Sequence, residues 1–179
     1  MKRISCLILI LPLLLVCLVS CTGYNQIMRD HLADADNYHT YEVILEDLYY
    51  FDFSTKEKKR DITDQTFLDN DITFEVSFLN SYDEVRPFLG GEPNEDIPLD
   101  KYIFHFEVTK NNSRILLSND FYKHIKVGEK IRIKVSDFIY MDGYFFYIAQ
   151  LEYNGRVYLR LEDGLKNIVD MMEENKSIF

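Results

Sequence analysis

The sequence contains no tryptophan and only three cysteines, and Cys6 and Cys17 fall within its first 20 residues. If that stretch is removed, Cys21 stands alone and no intramolecular disulfide can form. Small exported domains often rely on such bridges, so this chain must be held by its core. Without tryptophan the strongest stacking ring is missing, which weakens any aromatic platform for sugars. Basic residues are also scarce, 20 against 30 acidic ones. A surface of that sign repels phosphate backbones and argues against nucleic acid as a partner. Closely spaced glycines ahead of a helix, the cradle for a phosphate, are absent too: Gly90-Gly91 leads into Glu92 and Pro93. No two histidines flank a glutamate one helical turn apart, so a zincin-type site is excluded. A long apolar run is missing as well. Ile4 to Val19 is broken by Ser5 and Pro12 and falls short of the roughly 20 residues of a spanning helix.

What the N-terminus does have is Lys2 and Arg3, an apolar middle, and small residues before a cysteine. That is the layout of a secretory signal. The tetrapeptide Leu18-Val19-Ser20-Cys21 resembles the lipobox of bacterial lipoproteins. The resemblance implies cleavage between Ser20 and Cys21 and a diacylglyceryl group in thioether linkage on Cys21. It therefore implies residence at the extracytoplasmic face of the cell membrane through a lipid anchor. Two acyl chains suffice for stable attachment, each buried CH₂ contributing about 0.8 kcal/mol. On this reading residues 1–20 are the signal peptide, 21–38 a lipidated tether or short helix, 39–161 a β-barrel-like domain, and 162–179 a C-terminal helix and tail. Loss of Lys2 and Arg3 leaves 18 basic against 30 acidic residues, a net charge of −12. All 13 Tyr and all 13 Phe remain in the mature part, which is long enough for one core.

Along the mature chain, Ile27, His31, Leu32 and Ala35 lie near helical spacing among aspartates. From Tyr41 the period becomes two. Tyr41, Val43 and Leu45 alternate with polar neighbours, the pattern slips at Asp47, and Leu48 and Tyr50 resume it, as a bulged and bent strand would. Ser54 to Asn70 reads as a solvated loop containing the one basic concentration, Lys56 to Arg60. Ile72 to Phe78 is a clean strand, and Asn80 to Asp100 a long Pro/Gly loop with Phe88 and Leu89 as anchor or presented contact. Tyr102 to Val108 predicts a strand, Arg114 to Leu117 a short return, and Asn119 to His124 a brief helix capped by Ser118. The last third predicts a three-stranded meander with turns at Asp142-Gly143 and Asn154-Gly155. A helix from about Asp163 follows, carrying Leu165, Ile168, Val169 and Met172 on one stripe.

The fold class is mainly β. Three strands, a helix and two more strands, the first one bulged, match a single five-to-six-stranded OB-like barrel with a short internal helix and a C-terminal helix. Over roughly Tyr41 to Leu161 the strand order is similar to that of small OB-like lipoproteins of Gram-positive bacteria. A lipocalin-like or sandwich arrangement of the same strands stays open.

Chemistry-bearing clusters are few. His31, Asp34, Asp36 and His39 could supply imidazole and carboxylate to zinc, yet a tether lacks the rigid second shell a metal needs; no metal and no cofactor is expected. Asp69-Asn70-Asp71 lacks the glycine and terminal glutamate of a calcium loop. Ser118, His105 and His124 lack the strained elbow that presents a nucleophile. Tyr140, Tyr144 and Phe146 crowd one hairpin and are the candidate ligand-binding rings, since OB strand faces and loops commonly take oligosaccharides. The expected function is non-catalytic binding or scaffolding at the cell envelope, toward an envelope protein or glycan. The alternatives are an accessory subunit of an envelope complex and, third, an envelope hydrolase.

Overall fold

In the computed structural model the described residues are 26–60, 64–79, 81–88, 96, 98–136 and 146–175. The lipobox, Cys21, Tyr140, Tyr144, Leu89 and the Asp142-Gly143 turn lie outside them. Strand β1, Tyr38–Asp52, sends Tyr41, Val43 and Leu45 inward because alternate side chains of a strand share a face. Its pairing register shifts between Leu45 and Asp47. That bulge changes the phase, so Leu48 and Tyr50 pack on the same core while the strand bends. The two ends of β1 thereby serve two neighbours. One part pairs antiparallel with β5, Lys130–Ser136, matching Tyr41 to Ile133. The other pairs antiparallel with β3, Ile72–Phe78, matching Leu48 to Phe74.

Next to β3 runs β4, Phe104–Val108, antiparallel. Beside β4 lies β6, Phe146–Tyr153, in parallel, with Phe106 opposite Phe146. β6 pairs antiparallel with β5, and β5 returns to β1. The order β1-β3-β4-β6-β5-β1 closes a five-stranded barrel with the connectivity expected of an OB-like fold. Two short strands extend it. β2, Glu57–Lys59, folds back on the end of β1 as a hairpin, and β7, Arg156–Leu159, pairs outside β6. The Asn154-Gly155 turn between β6 and β7 has both residues at positive φ, 51° and 74°, as a two-residue hairpin turn requires.

Rings close both ends of the barrel. Phe88, buried, meets Tyr41, Phe78, Phe106 and Phe146 at centroid distances of 5.2, 5.6, 5.5 and 4.9 Å. It is the packing anchor of the segment after the short helix α3, Tyr82–Val85. At the other end Phe121 stacks on Phe74 at 6.3 Å and meets Tyr158 edge-on at 5.2 Å.

The connection from β4 to β5 differs from expectation. Arg114 to Leu117 is not a return strand but part of helix α4, Lys110–Ser118. Thr109 starts it, its hydroxyl accepting from the Asn112 N–H at 3.3 Å, a regular N-cap. Ser118 ends this helix and donates to the Ile115 carbonyl at 2.8 Å. Asp120, at φ 60°, breaks the chain before the short α5, Phe121–His124. The Ser54 to Asn70 loop likewise contains β2 and the helix α2, Asp64–Asp69.

Outside the barrel, helix α6, Leu161–Asn175, lies across β6. It can do so because residue 164 is glycine: a Cβ there would sit 1.9 Å from the Ala149 carbonyl oxygen. Residues 26–33 form helix α1, which docks on the same layer. Leu32, Tyr38, Ala149 and Ile168 make a second apolar cluster with Met28 and Met172 at its margin. Arg29 pairs with Glu173 at 3.3 Å, and the Tyr38 hydroxyl donates to the Leu32 carbonyl at 3.1 Å. The apolar stripe of α1 is therefore Met28 and Leu32, one turn apart. Ile27, placed on the stripe by sequence spacing, is 65% exposed.

Candidate functional site

The sheet face that an OB-like barrel offers to ligands is the outer side of its second and third strands, here β3 and β4. The pleat that buries Phe74, Val76, Phe104 and Phe106 turns Glu75, His105 and Glu107 outward. Register sets two rows across the sheet. Asp47, Glu75 and His105 lie side by side, and so do Tyr49, Thr73, Glu107 and Tyr147.

The first row joins Tyr49 of the second in a polar network. The Tyr49 hydroxyl and His105 Nδ1 are 3.3 Å apart, and Glu75 Oε1 lies 3.7 Å from the same nitrogen. Lys58, delivered by β2, pairs with Glu75, and its ammonium sits 4.4 Å over the Tyr49 ring. Burial and the Glu75 carboxylate raise the Tyr49 hydroxyl above its ordinary value, so it remains a neutral donor. Arg60 closes the network on Asp47, with Nε 2.8 Å from Oδ2. Burial works to raise the Asp47 carboxyl, but Arg60 and the Leu48 N–H outweigh it and hold it low. The His105 side chain remains 54% exposed, so an imidazole fixed on one edge faces solvent on the other. Ile103, just before β4, and Leu79, just after β3, are exposed.

In the second row Glu107 is largely desolvated. Burial, and then the charge of Asp71, push its carboxyl up to about 7. Asp71 is itself raised by burial, though the Lys110 backbone N–H donates to it. The neighbouring Tyr147 hydroxyl is raised by the same burial and by Glu107. Such a carboxyl is half protonated near neutrality and can donate or accept.

Among the described residues, those singled out from sequence are not brought together. Phe146, one of the three candidate rings, is 3% exposed and packs on Phe88 and Phe106 inside the barrel, so it stacks on core rings and offers no face to a ligand. Ser118 is occupied within α4, while His105 bonds Tyr49 in the middle of the outer face; they do not form a pair. His124 stands at the end of α5, at the rim of a recess beside β7. His31 Nε2 lies 3.2 Å from Ser136 Oγ where α1 meets β5, and Ser136 is buried, so this serine and histidine join helix to barrel. Asp34 caps the turn before β1 through the Asp36 N–H. Among the described residues no three His, Cys, Asp or Glu side chains are grouped to hold a metal ion.

Comparison with family models, curated proteins and solved structures returned no match. What the outer face can do therefore follows from its own groups. It offers fixed donors and acceptors, one imidazole, one carboxyl near its midpoint and two flanking apolar side chains. That set suits hydrogen-bonded capture of a polar ligand or strand. Sequence reasoning placed His105 correctly on the outward side of its strand. It missed Tyr49, Lys58 and Glu75, which are 26, 17 and 9 residues apart in sequence and meet only through strand register.

Proposed function

We propose that the chain is a lipid-anchored lipoprotein of the extracytoplasmic membrane face whose OB-like barrel binds or scaffolds an envelope component without catalysing a reaction. The single observation that carries the binding role is the open outer face of β3 and β4, with its Tyr49–His105–Glu75–Lys58 network. The lipobox supports the anchor. Four residues lie between Cys21 and Gln26 at the start of α1, and an extended chain over those five steps reaches only about 18 Å. The body is thus held close to the acyl chains. No helix among the described residues is long and apolar enough to cross a membrane.

A second reading, an accessory subunit of an envelope complex, draws on the tip of the β1–β2 hairpin. Phe53 is 84% exposed there and Phe51 39%, with ring centroids 5.0 Å apart, an apolar pair that a partner protein would cover.

Cys21→Ser separates the anchor from everything else. It is expected to abolish incorporation of labelled fatty acid and to leave an uncut or mis-cut precursor; unchanged mass and membrane fractionation reject the lipoprotein reading. Crosslinked pull-downs from envelopes then distinguish the two roles. Loss of the captured component with His105→Glu supports the outer face, and loss with Phe51→Ser and Phe53→Ser supports the hairpin.

A further inference from the structure

At the barrel end opposite Phe88, the β6–β7 turn and α5 border an open recess of about 410 Å³ lined by His124, Tyr153, Asn154, Arg156 and Tyr158. Its size is within the range of small-molecule sites. What distinguishes it is the state of Arg156. In a chain with acids in excess, the cations of the outer face are neutralised: Lys58 by Glu75, Lys59 by Glu57, Arg60 by Asp47. Arg156 has no carboxylate within ion-pair distance among the described residues. Its guanidinium instead lies 4.6 Å over the Tyr158 ring, and one nitrogen donates to the Asn119 carbonyl at 3.4 Å.

These contacts orient the fork. Tyr158 is buried, and its own carbonyl accepts from the Asn119 side chain at 2.8 Å, so the ring that supports the guanidinium is fixed in turn. Asn154 owes its place on the rim to the positive-φ turn. The Tyr153 hydroxyl is committed to Glu129. His124, exposed at the end of α5, adds a ring N–H that is present in either protonation state. A planar guanidinium with unused N–H groups, an amide and an imidazole around one hollow make a receptor for a planar anion.

We propose that this recess binds a carboxylate, presented by a sugar acid or by the free C-terminus of a peptide. Carboxylate is favoured over phosphate by what stands nearby. Asp120, paired with Lys123 at 2.7 Å, also feels the charges of His124 and Arg156, and Glu129 lies behind Tyr153. A dianion would meet these acids with one permanent cation to offset them. A single negative charge matches the single guanidinium, and its two oxygens match the fork. This inference does not depend on the lipid anchor or on the β3–β4 face.

The test uses the full chain, isotope-labelled in detergent micelles, with the Arg156 Nε–Hε and Asn154 side-chain amide signals followed by NMR. Four probes are titrated: glucuronate against glucose, and trialanine against trialanine amide, with inorganic phosphate alongside. Saturable shifts with glucuronate, with free trialanine, or with both support the inference, and which of the two acts names the source of the carboxylate. Arg156→Lys keeps the charge but loses the fork and is expected to weaken binding about tenfold. No saturable shift with either acid overturns the proposal. Equal response to the two probes that lack a carboxylate, or to phosphate, overturns it as well.

Discussion

Two glycines show how differently one residue type can be required. Gly155 sits at φ 74°, and a Cβ there would meet nothing within 4 Å, so its constraint is entirely in the backbone. Gly164 is helical, and its constraint is entirely in its neighbour, since a Cβ would fall 1.9 Å from a backbone oxygen of β6. Gly155→Ala should therefore cost about 1 to 2 kcal/mol, the left-handed penalty for an L residue, and leave the recess and barrel in place. Gly164→Ala gains about 1 kcal/mol of helix propensity but must push α6 off Ala149. That overpacking costs about 1 to 3 kcal/mol or more, and it also strains the contact from the Asn112 side-chain amide to the Gly164 carbonyl at 3.3 Å. Urea unfolding checks both variants, and a Gly164→Ala protein as stable as the parent would contradict the close approach. The burial of Asn112 itself is satisfied, because its oxygen also accepts from Asn167 at 2.7 Å.

At the scale of elements, the segment 81–88 carries a buried anchor, Phe88, besides the edge-on contact of Tyr82 with Tyr102 at 6.2 Å. Phe88 fills the barrel mouth against four or more rings, so Phe88→Ala should destabilise by about 3 to 5 kcal/mol. The same change should raise proteolytic cutting within 81–88 more than elsewhere. Uniform sensitivity along the chain would argue that the segment is held by other contacts. The strands around this ring were legible from sequence because their alternation of apolar and polar residues is a local signal, and the slip at Asp47 marked the bulge for the same reason. Helix α4 was not legible. Its buried side chains are Asn112 and Ser113 as well as Leu116, so the inward stripe carries no apolar period, and the run Ile115-Leu116-Leu117 imitates a strand. Strand β2 was hidden in the charge run Lys56 to Arg60, because its pairing with β1 uses the backbone while its charged side chains carry no apolar alternation. The outer-face network was illegible for a third reason. Tyr49, Glu75 and His105 become neighbours only once β1, β3 and β4 have paired, and no spacing within one strand announces that.

For the whole molecule the balance of charge makes a prediction with a sign. Burial and Asp71 lift Glu107 from 4.5 to about 7, so between those values the folded chain holds a proton that the unfolded chain has released. Stability must then fall as pH rises through that window, and the lost contribution is about 1 to 3 kcal/mol. The exposed acids act at the other end. Asp52 is held down to about 2 by the Ser54 hydroxyl and N–H, and Glu42 is lowered by Lys130 and Arg132, so their contribution is present above the ordinary carboxylate range and is lost as pH falls below it. Stability should consequently peak in mildly acidic solution. Glu107→Gln removes the titrating group while keeping its size and its ability to donate. Urea midpoints of the full chain across this pH range should lose their downward slope in the variant, and at pH above the window the variant should be the more stable of the two. Repulsion among the acids in excess over the surface would also weaken the fold at high pH, but it is screened by salt over a Debye length of about 10 Å at 0.1 M. Repeating the series at high salt therefore separates the two causes: a slope that persists in the parent and is absent from Glu107→Gln assigns it to the desolvated carboxyl beside Tyr147, whereas parallel curves for the two proteins assign it to the surface.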